Sequence, residues 1–384
     1  MAPRVAIVPP VPVPYRDPLF RMLAERGHVE PHVVYLAASQ PAWDQSASWF
    51  SPADGYPAEV LAGRQHARPG RSPVTLPRAL GAALTRLEPE CVVSWEYGPA
   101  TLRALAWCER RGRPLLVFSE LTPWSEAELG PARRRLHRGI AARAGGFIAA
   151  SSQAAARLAA LGVPPERVEV ALQSADVARL RAQPGARAGA PVRILAVARH
   201  VADKNLGRLI DAFRRAGLGP GEAELELRGS GPLEQELRAR AGAGVRVLGP
   251  APAAEMADVY AGADVAALVS TYEPFGVTMR EAAAAGLALV CTRRAGAVGD
   301  VAVEDENALL VDPESTDEIA GALRRLVRDP ELRARLAAGS VAVTERHPPE
   351  ADAQAWERAI LRVTQPSSAG SSSRATVRSS ASGW

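Results

Sequence analysis

Short apolar runs alternate along this chain with stretches whose apolar positions recur every three to four residues. VAIVP (5–9), PHVVYLA, ECVVSW, RPLLVFS, GGFIAA and RVEVAL are runs of the first kind. Between them, LFRMLAERG, TLRALAWCERR and SSQAAARLAALG carry helical spacing. Apolar runs of strand length separated by amphipathic helices predict a buried parallel sheet, because parallel strands need a helical crossover between them. The alternation fades near residue 177 into LRAQPGARAGAP. It resumes with VRILAVA, a helix over 205–216, AELELRG, VRVLG, DVAALVS, LALVCT and NALLV. No sequence period repeats. The pattern predicts an α/β chain of two doubly wound, Rossmann-like domains, residues 1–176 and 191–349, joined by a linker over 177–190. EADAQAWERAILRV predicts a closing helix over 350–364 that buries Trp356, Ile360 and Leu361. The Ser-rich residues 365–384 hold too little apolar surface to offset their ordering entropy and are expected to be disordered.

Composition narrows the class. The 384 residues suit two domains, and 47% hydrophobic content describes a globular protein. Prolines interrupt the apolar start MAPRVAIVPPVPVP, which predicts no secretory signal, and no run reaches membrane-spanning length. Cys91, Cys108 and Cys291 are odd in number and form no CxxC, so they read as buried thiols in a reducing cytoplasm. A net charge of +4, spread along the chain, argues against nucleic acid as a partner.

One residue type changes the picture. Lys plus Arg number 46, yet Lys204 is the single lysine. It lies five positions after Arg199, between the strand run VRILAVA and the helix NLGRLIDAFRRA. In open α/β sheets ligands gather at the carboxyl ends of strands, where helix N-termini favour anions. Two cations there predict an exposed diphosphate cleft, Arg giving a planar fork and Lys a compact point charge. The alternative is a solvated charge beside a turn. In STYEPFGVTMREAAAAG, Glu273 follows the strand DVAALVS and Glu281 comes eight positions later. Pro274 suits the first turn of a helix, and Gly276 permits close approach of backbone to a ligand. Carboxylates so spaced span roughly 10 Å along a helix and suit two hydroxyl-bearing rings with a diphosphate between them. A capping Glu and a surface Glu are the bland alternative.

These motifs resemble the retaining GT-B glycosyltransferases of family 4. EPFGVTMRE matches their Glu-x7-Glu signature, ARHVADKN their strand-loop cation element, and LRGSGP their Gly-x-Gly-Pro turn. VRVLGPAPAAEMADVYAGADVAALVS and AGAVGDVAVEDENALLVDP match two further segments, so the likeness covers nearly all of 190–345. It implies two domains facing across a cleft, with the terminal helix crossing back to the first. It implies a sugar transferred, with its anomeric configuration retained by front-face attack, from a nucleoside-diphosphate sugar to a glycan, glycolipid or small-molecule acceptor. A UDP-sugar is the first expectation, then a GDP- or dTDP-sugar, with no bound cofactor. Arg199 and Lys204 would hold the diphosphate with the backbone of Phe275, Gly276, Val277 and Thr278, and Gly249 would border the donor. Glu281 would hold the ribose and Glu273 the sugar hydroxyls. No Asp-x-Asp is present, and no metal is expected. The chain departs from the family pattern at Asn205, Ala297 and Asp300, where Gly, Gly and Glu are usual. A non-catalytic subunit of this fold and a sugar-nucleotide epimerase are the rival readings; all four charged ligand positions being filled disfavours the first.

The amino-terminal half resembles the family less. PPVPVPYR stands in place of the usual Gly-Gly loop, with Arg16 a candidate for the donor phosphate. Where many members carry a histidine near the transferred sugar, this chain reads SELT. Glu120 is thus a catalytic candidate, as an acceptor-side base or sugar contact, or else a capping residue. PARRRLHRGIAARAGG (131–146), basic with Leu136 and Ile140 on one side, is a candidate for peripheral contact with anionic lipid at the inner face of the cell membrane; the alternative is an Arg-rich solvated face over a core stripe.

Overall fold

A computed structural model of the chain describes residues 1–39, 54–62, 64–68, 71–76, 79–127, 129–181, 191–219 and 221–365. Its strands run β1 (Arg4–Val8), β2 (Glu30–Tyr35), β3 (Ala58–Val60), β4 (Arg64–Arg68), β5 (Arg71–Leu76), β6 (Cys91–Trp95), β7 (Leu115–Ser119), β8 (Gly146–Ala149) and β9 (Val168–Val170) in the first half. The second half has β10 (Val192–Val197), β11 (Ala223–Arg228), β12 (Val245–Leu248), β13 (Val265–Leu268), β14 (Ala288–Thr292) and β15 (Ala308–Val311). They form two wholly parallel sheets, in the orders β3-β2-β1-β6-β7-β8-β9 and β12-β11-β10-β13-β14-β15. Strands β4 and β5 pair separately as an antiparallel hairpin, which the apolar pattern did not predict.

Every residue of β6, β7, β13 and β14 is buried, since helices cover both faces of each sheet. That is why these strands read as unbroken apolar runs. Strand β11, one place from the sheet edge, alternates instead: Leu225 and Leu227 are buried while Glu224 and Glu226 reach outward to Arg246. The helix Leu206–Arg215 buries Leu206, Leu209, Ile210 and Phe213, one stripe at helical spacing, against the second sheet.

Two segments join the sheets. The first follows β9, and its continuation departs from the expected linker: Val177–Arg181 is a short helix whose Val177 and Leu180 enter the second core beside Met279. Residues 182–190 of that expected linker lie outside the described residues, as does the Ser-rich stretch 366–384. The second segment leads into the helix Pro349–Thr364, which lies against β6, β8 and β9 of the first sheet. Trp356, fully buried, sits among Phe20, Trp95 and Phe118 with ring centroids 6.5, 5.9 and 5.5 Å away. Leu361 is only partly buried. Arg26 makes a bidentate contact with Glu357 of the same helix, at 2.8 and 3.0 Å.

Candidate active site

The carboxyl ends of β10 and β13, neighbours in the second sheet, bring Lys204 to Glu273. Lys204 ends a one-turn 3-10 helix, Ala202–Lys204, and Asn205 follows in the left-handed region at φ 57°. Asparagine tolerates that conformation, which accounts for its standing where glycine is usual. Its side-chain amide also donates to the carbonyls of Val269 (3.1 Å) and Pro313 (2.7 Å), tying the turn to the β13 rim. The ammonium of Lys204 thereby lies 2.6 Å from Glu273 Oε2, which also accepts from Ser270 Oγ at 3.2 Å. The two side chains keep only 12% and 13% of their surface exposed, so the expected exposed cation is a largely enclosed ion pair. Arg199, partly exposed, lies in the same loop after β10.

The segment after Glu273 is clamped from behind. Gly296 N–H donates to Glu273 O (3.0 Å) and Ala297 N–H to Phe275 O (2.8 Å). A Cβ on Gly296 would lie 1.9 Å from Pro274 O, so this contact admits only glycine. Ala297 is fully buried, whereas Gly296 alone meets the backbone. Pro274 does not start the helix, contrary to expectation. Gly276, at φ 99°, turns the chain, and the helix runs Val277–Ala284. No side chain caps it and no acidic residue occupies its first turn, so neither a cap nor a nearby carboxylate offsets the positive end of the helix dipole there. Phe275 is buried beneath. Further along, Glu281 accepts 2.6 Å from the Tyr260 hydroxyl, and burial pushes its carboxyl up to about 7.

The first sheet supplies the opposite rim. Glu120, just past β7, receives Trp95 Nε1 at 3.5 Å and the Gln173 side-chain amide on Oε1; Arg16 NH2 approaches the same oxygen at 3.6 Å. Burial raises its carboxyl above the ordinary range, with Arg16 opposing. Arg16 is 6% exposed, its guanidinium lies 4.6 Å over the Trp95 ring, and the carboxylate it faces here is Glu120. Glu96, just past β6, was not a candidate. It holds φ 54°, accepts Glu120 N–H at 2.6 Å and Ser119 Oγ at 2.9 Å, and burial pushes its carboxyl up to about 7. A readable signal existed: CVVSW-E and LLVFS-E each place a carboxylate directly after a buried strand.

The rims also touch. Ser152 N–H, at the start of the helix Ser152–Ala160, donates to Asp300 Oδ2 at 2.7 Å, and Arg294 lies 5.6 Å over the Trp124 ring. Asp300 is therefore an interdomain contact. Gly249 lies exposed at the end of β12 with nothing near its Cβ position, so no close approach there demands glycine. The basic helix Pro131–Arg143 buries His137, Ile140 and Ala141 and leaves Leu136 exposed. Leu136 and Ile140, four residues apart, lie along one side of the helix, but Ile140 packs into the core while Leu136 stays exposed, and the arrangement lends no support to the membrane contact. No described helix is long and apolar enough to cross a membrane, and among the described residues no cluster of three His, Cys, Asp or Glu is placed to hold a metal.

Two parallel α/β sheets facing each other across a cleft form the GT-B architecture. Residues 176–340 match the model of the glycosyl transferases group 1 and residues 19–179 that of glycosyltransferase family 4, and the chain belongs to this family. Among solved structures it is similar to HepE of Anabaena in complex with UDP-glucose, at 19% identity over 92% of this chain and 98% of that one, TM-score 0.72. Sucrose-phosphate synthase of Thermosynechococcus elongatus matches at 19% identity over 93% and 98%, TM-score 0.68. In sequence, a D-inositol 3-phosphate glycosyltransferase of Corynebacterium urealyticum is 35% identical over 121 residues, 32% of this chain. That match spans 27% of the relative's length, and one to a probable sucrose-phosphate synthase of rice, 51% identical over 63 residues, spans 6% of it.

Proposed function

We propose that this glycosyltransferase moves a sugar from a nucleoside-diphosphate sugar to an acceptor with retention of anomeric configuration and without a metal ion. The observation that carries the reading is the Lys204–Glu273 pair beside an uncapped helix start: cation, carboxylate and backbone donors meet on one rim. Arg199, Lys204 and the N–H groups of Val277 and Thr278 hold the diphosphate and stabilise the charge that develops as it leaves. Glu281 holds the ribose hydroxyls, and Glu273 the hydroxyls of the sugar. The fixed cations and helix dipole supply the field that a divalent ion supplies elsewhere.

The acceptor comes from the first sheet's rim, where Glu120 is the carboxylate that receives its hydroxyl proton or holds its position. The similarity to HepE, solved with UDP-glucose, favours a UDP-sugar as donor. The names of the sequence relatives extend the acceptor range to small phosphorylated molecules beside glycans and glycolipids. Three buried, unpaired cysteines fit a cytoplasmic setting.

A thermal-shift panel of UDP, GDP, ADP and dTDP identifies the base, and their sugars then identify the donor. Proton NMR of the product reads the anomeric configuration. Inversion would remove the retaining assignment, and activity lost in EDTA and restored by a divalent ion would remove the metal-free one.

A further inference from the structure

Gln173 occupies the first crossing between the sheets, three residues past β9, and is 3% exposed. Its three polar groups go to three places. Its N–H donates to Ala150 O of the first unit at 3.3 Å. Its carbonyl accepts Arg280 NH1 at 2.7 Å, from the helix Val277–Ala284 that carries Glu281. Its side-chain amide donates to Glu120 Oε1. Arg280 in turn donates to Asp352 Oδ2 at 2.6 Å and His347 O at 3.2 Å, and Asp352 Oδ1 accepts Leu172 N–H at 2.8 Å. Both crossings between the sheets thus converge on one arginine of the donor-side helix, and the residue it grips reaches the acceptor-side carboxylate.

We propose that Gln173 is a positioning residue for the transfer: it orients Glu120 through its amide and couples that orientation to the donor helix through its carbonyl. The proposal rests on the reading of Glu120 as the acceptor-side carboxylate. Among the described residues, Trp95, Arg16 and Gln173 all address Oε1, and Oε2 receives no hydrogen bond. Two hydrogen bonds and the Arg16 cation hold that oxygen in place and leave the other oxygen for the acceptor hydroxyl. A neutral amide does this without adding a second positive charge, so Glu120 keeps more basicity than a second arginine would leave it. The charged groups around Glu120 are Arg16 from the first loop, Glu96 from the end of β6 and Glu273 across the cleft. Because the bond to Arg280 uses main-chain oxygen, side-chain substitution of Gln173 leaves the hinge contact in place.

The test uses the full chain, the sugar nucleotide that the panel selects, and nucleoside-diphosphate release with water as acceptor. Gln173→Met keeps the side chain's length and removes the donor; Gln173→Glu adds a carboxylate. Misorienting a reacting group costs up to about a hundredfold in rate, so Gln173→Met is expected to lower kcat by roughly ten- to a hundredfold. Nucleoside-diphosphate affinity by calorimetry is expected to hold. The acidic limb of kcat/KM should move to higher pH in Gln173→Met and further in Gln173→Glu, since each change disfavours the ionised Glu120. In a Glu120→Gln background, Gln173→Met should cost nothing more. Wild-type kcat and pH limb in Gln173→Met, with Glu120→Gln impaired, overturn the positioning role alone. Equal losses of nucleotide affinity and turnover in Gln173→Met also overturn it, in favour of a purely structural hinge residue. Wild-type turnover in Glu120→Gln overturns the reading of Glu120 itself.

Discussion

Replacing Lys204 by alanine separates what its ammonium does for the fold from what it does for the reaction. The Nζ lies 2.6 Å from Glu273 Oε2, and the pair is about nine-tenths enclosed. Removing the cation leaves the carboxylate with Ser270 Oγ as its remaining partner. Breaking a fully buried pair costs about 3–5 kcal/mol, and the solvent this pair retains brings the expected loss to about 2–3 kcal/mol. For turnover, losing one preorganised charge stabiliser is worth about 2.7–4 kcal/mol, or two to three orders of magnitude in kcat. The two effects respond differently to a second change. Lys204→Ala/Glu273→Gln removes the stranded charge, so its Tm should recover toward wild type while turnover stays low. Lys204→Arg should keep much of the stability but remain slow, because a planar guanidinium fork does not place a compact point charge at the same spot. Thermal denaturation, calorimetry with UDP and single-turnover kinetics on the four proteins decide it. Wild-type turnover in Lys204→Ala, or full recovery of turnover in the double variant, would refute the diphosphate role.

Three further outcomes are expected. Burial holds Glu281 at about 7 in the folded protein, above the unfolded value of about 4.3; a raised carboxyl contributes stability below the unfolded value that is lost as pH rises through 7. Glu281→Gln should therefore be more stable than wild type at pH 8, with a gap that narrows as pH falls through 7 and closes only by about pH 4, while binding the nucleoside diphosphate less well; a pH-independent gap in Tm would count against it. Gly296→Ala drives a methyl into Pro274 O, and overpacking of this kind costs about 1–3 kcal/mol; weakened UDP binding by calorimetry is the check, and unchanged binding would show that the clamp on Glu273–Phe275 is irrelevant to the donor. Trp356→Ala should cost about 3–5 kcal/mol, and hydrogen exchange should place the loosening in β6 and β7 of the first sheet rather than in the second sheet that precedes it in sequence.

The parallel sheets were legible because a strand buried on both faces must be apolar throughout, and its crossover must carry a helical stripe; both are local patterns. Lys204, Glu273 and Glu281 were legible for a related reason. Glu273 follows an apolar run, Lys204 lies in the loop between such a run and the next helix, and Glu281 stands at fixed spacing from Glu273; the order of strands puts such positions on one rim. The pairing of Lys204 with Glu273 was not legible, since it depends on β10 lying beside β13 and on the left-handed turn at Asn205. The same holds for Arg16, which stacks on Trp95 and faces Glu120, and for Ile140, which turns inward while Leu136 stays out. Glu96, Gln173 and Arg280 looked like ordinary polar residues between elements. Their partners lie 24, 53 and 72 residues away. Periodicity reports which way a side chain points relative to its own element; only the packing of one element on another decides what it meets there.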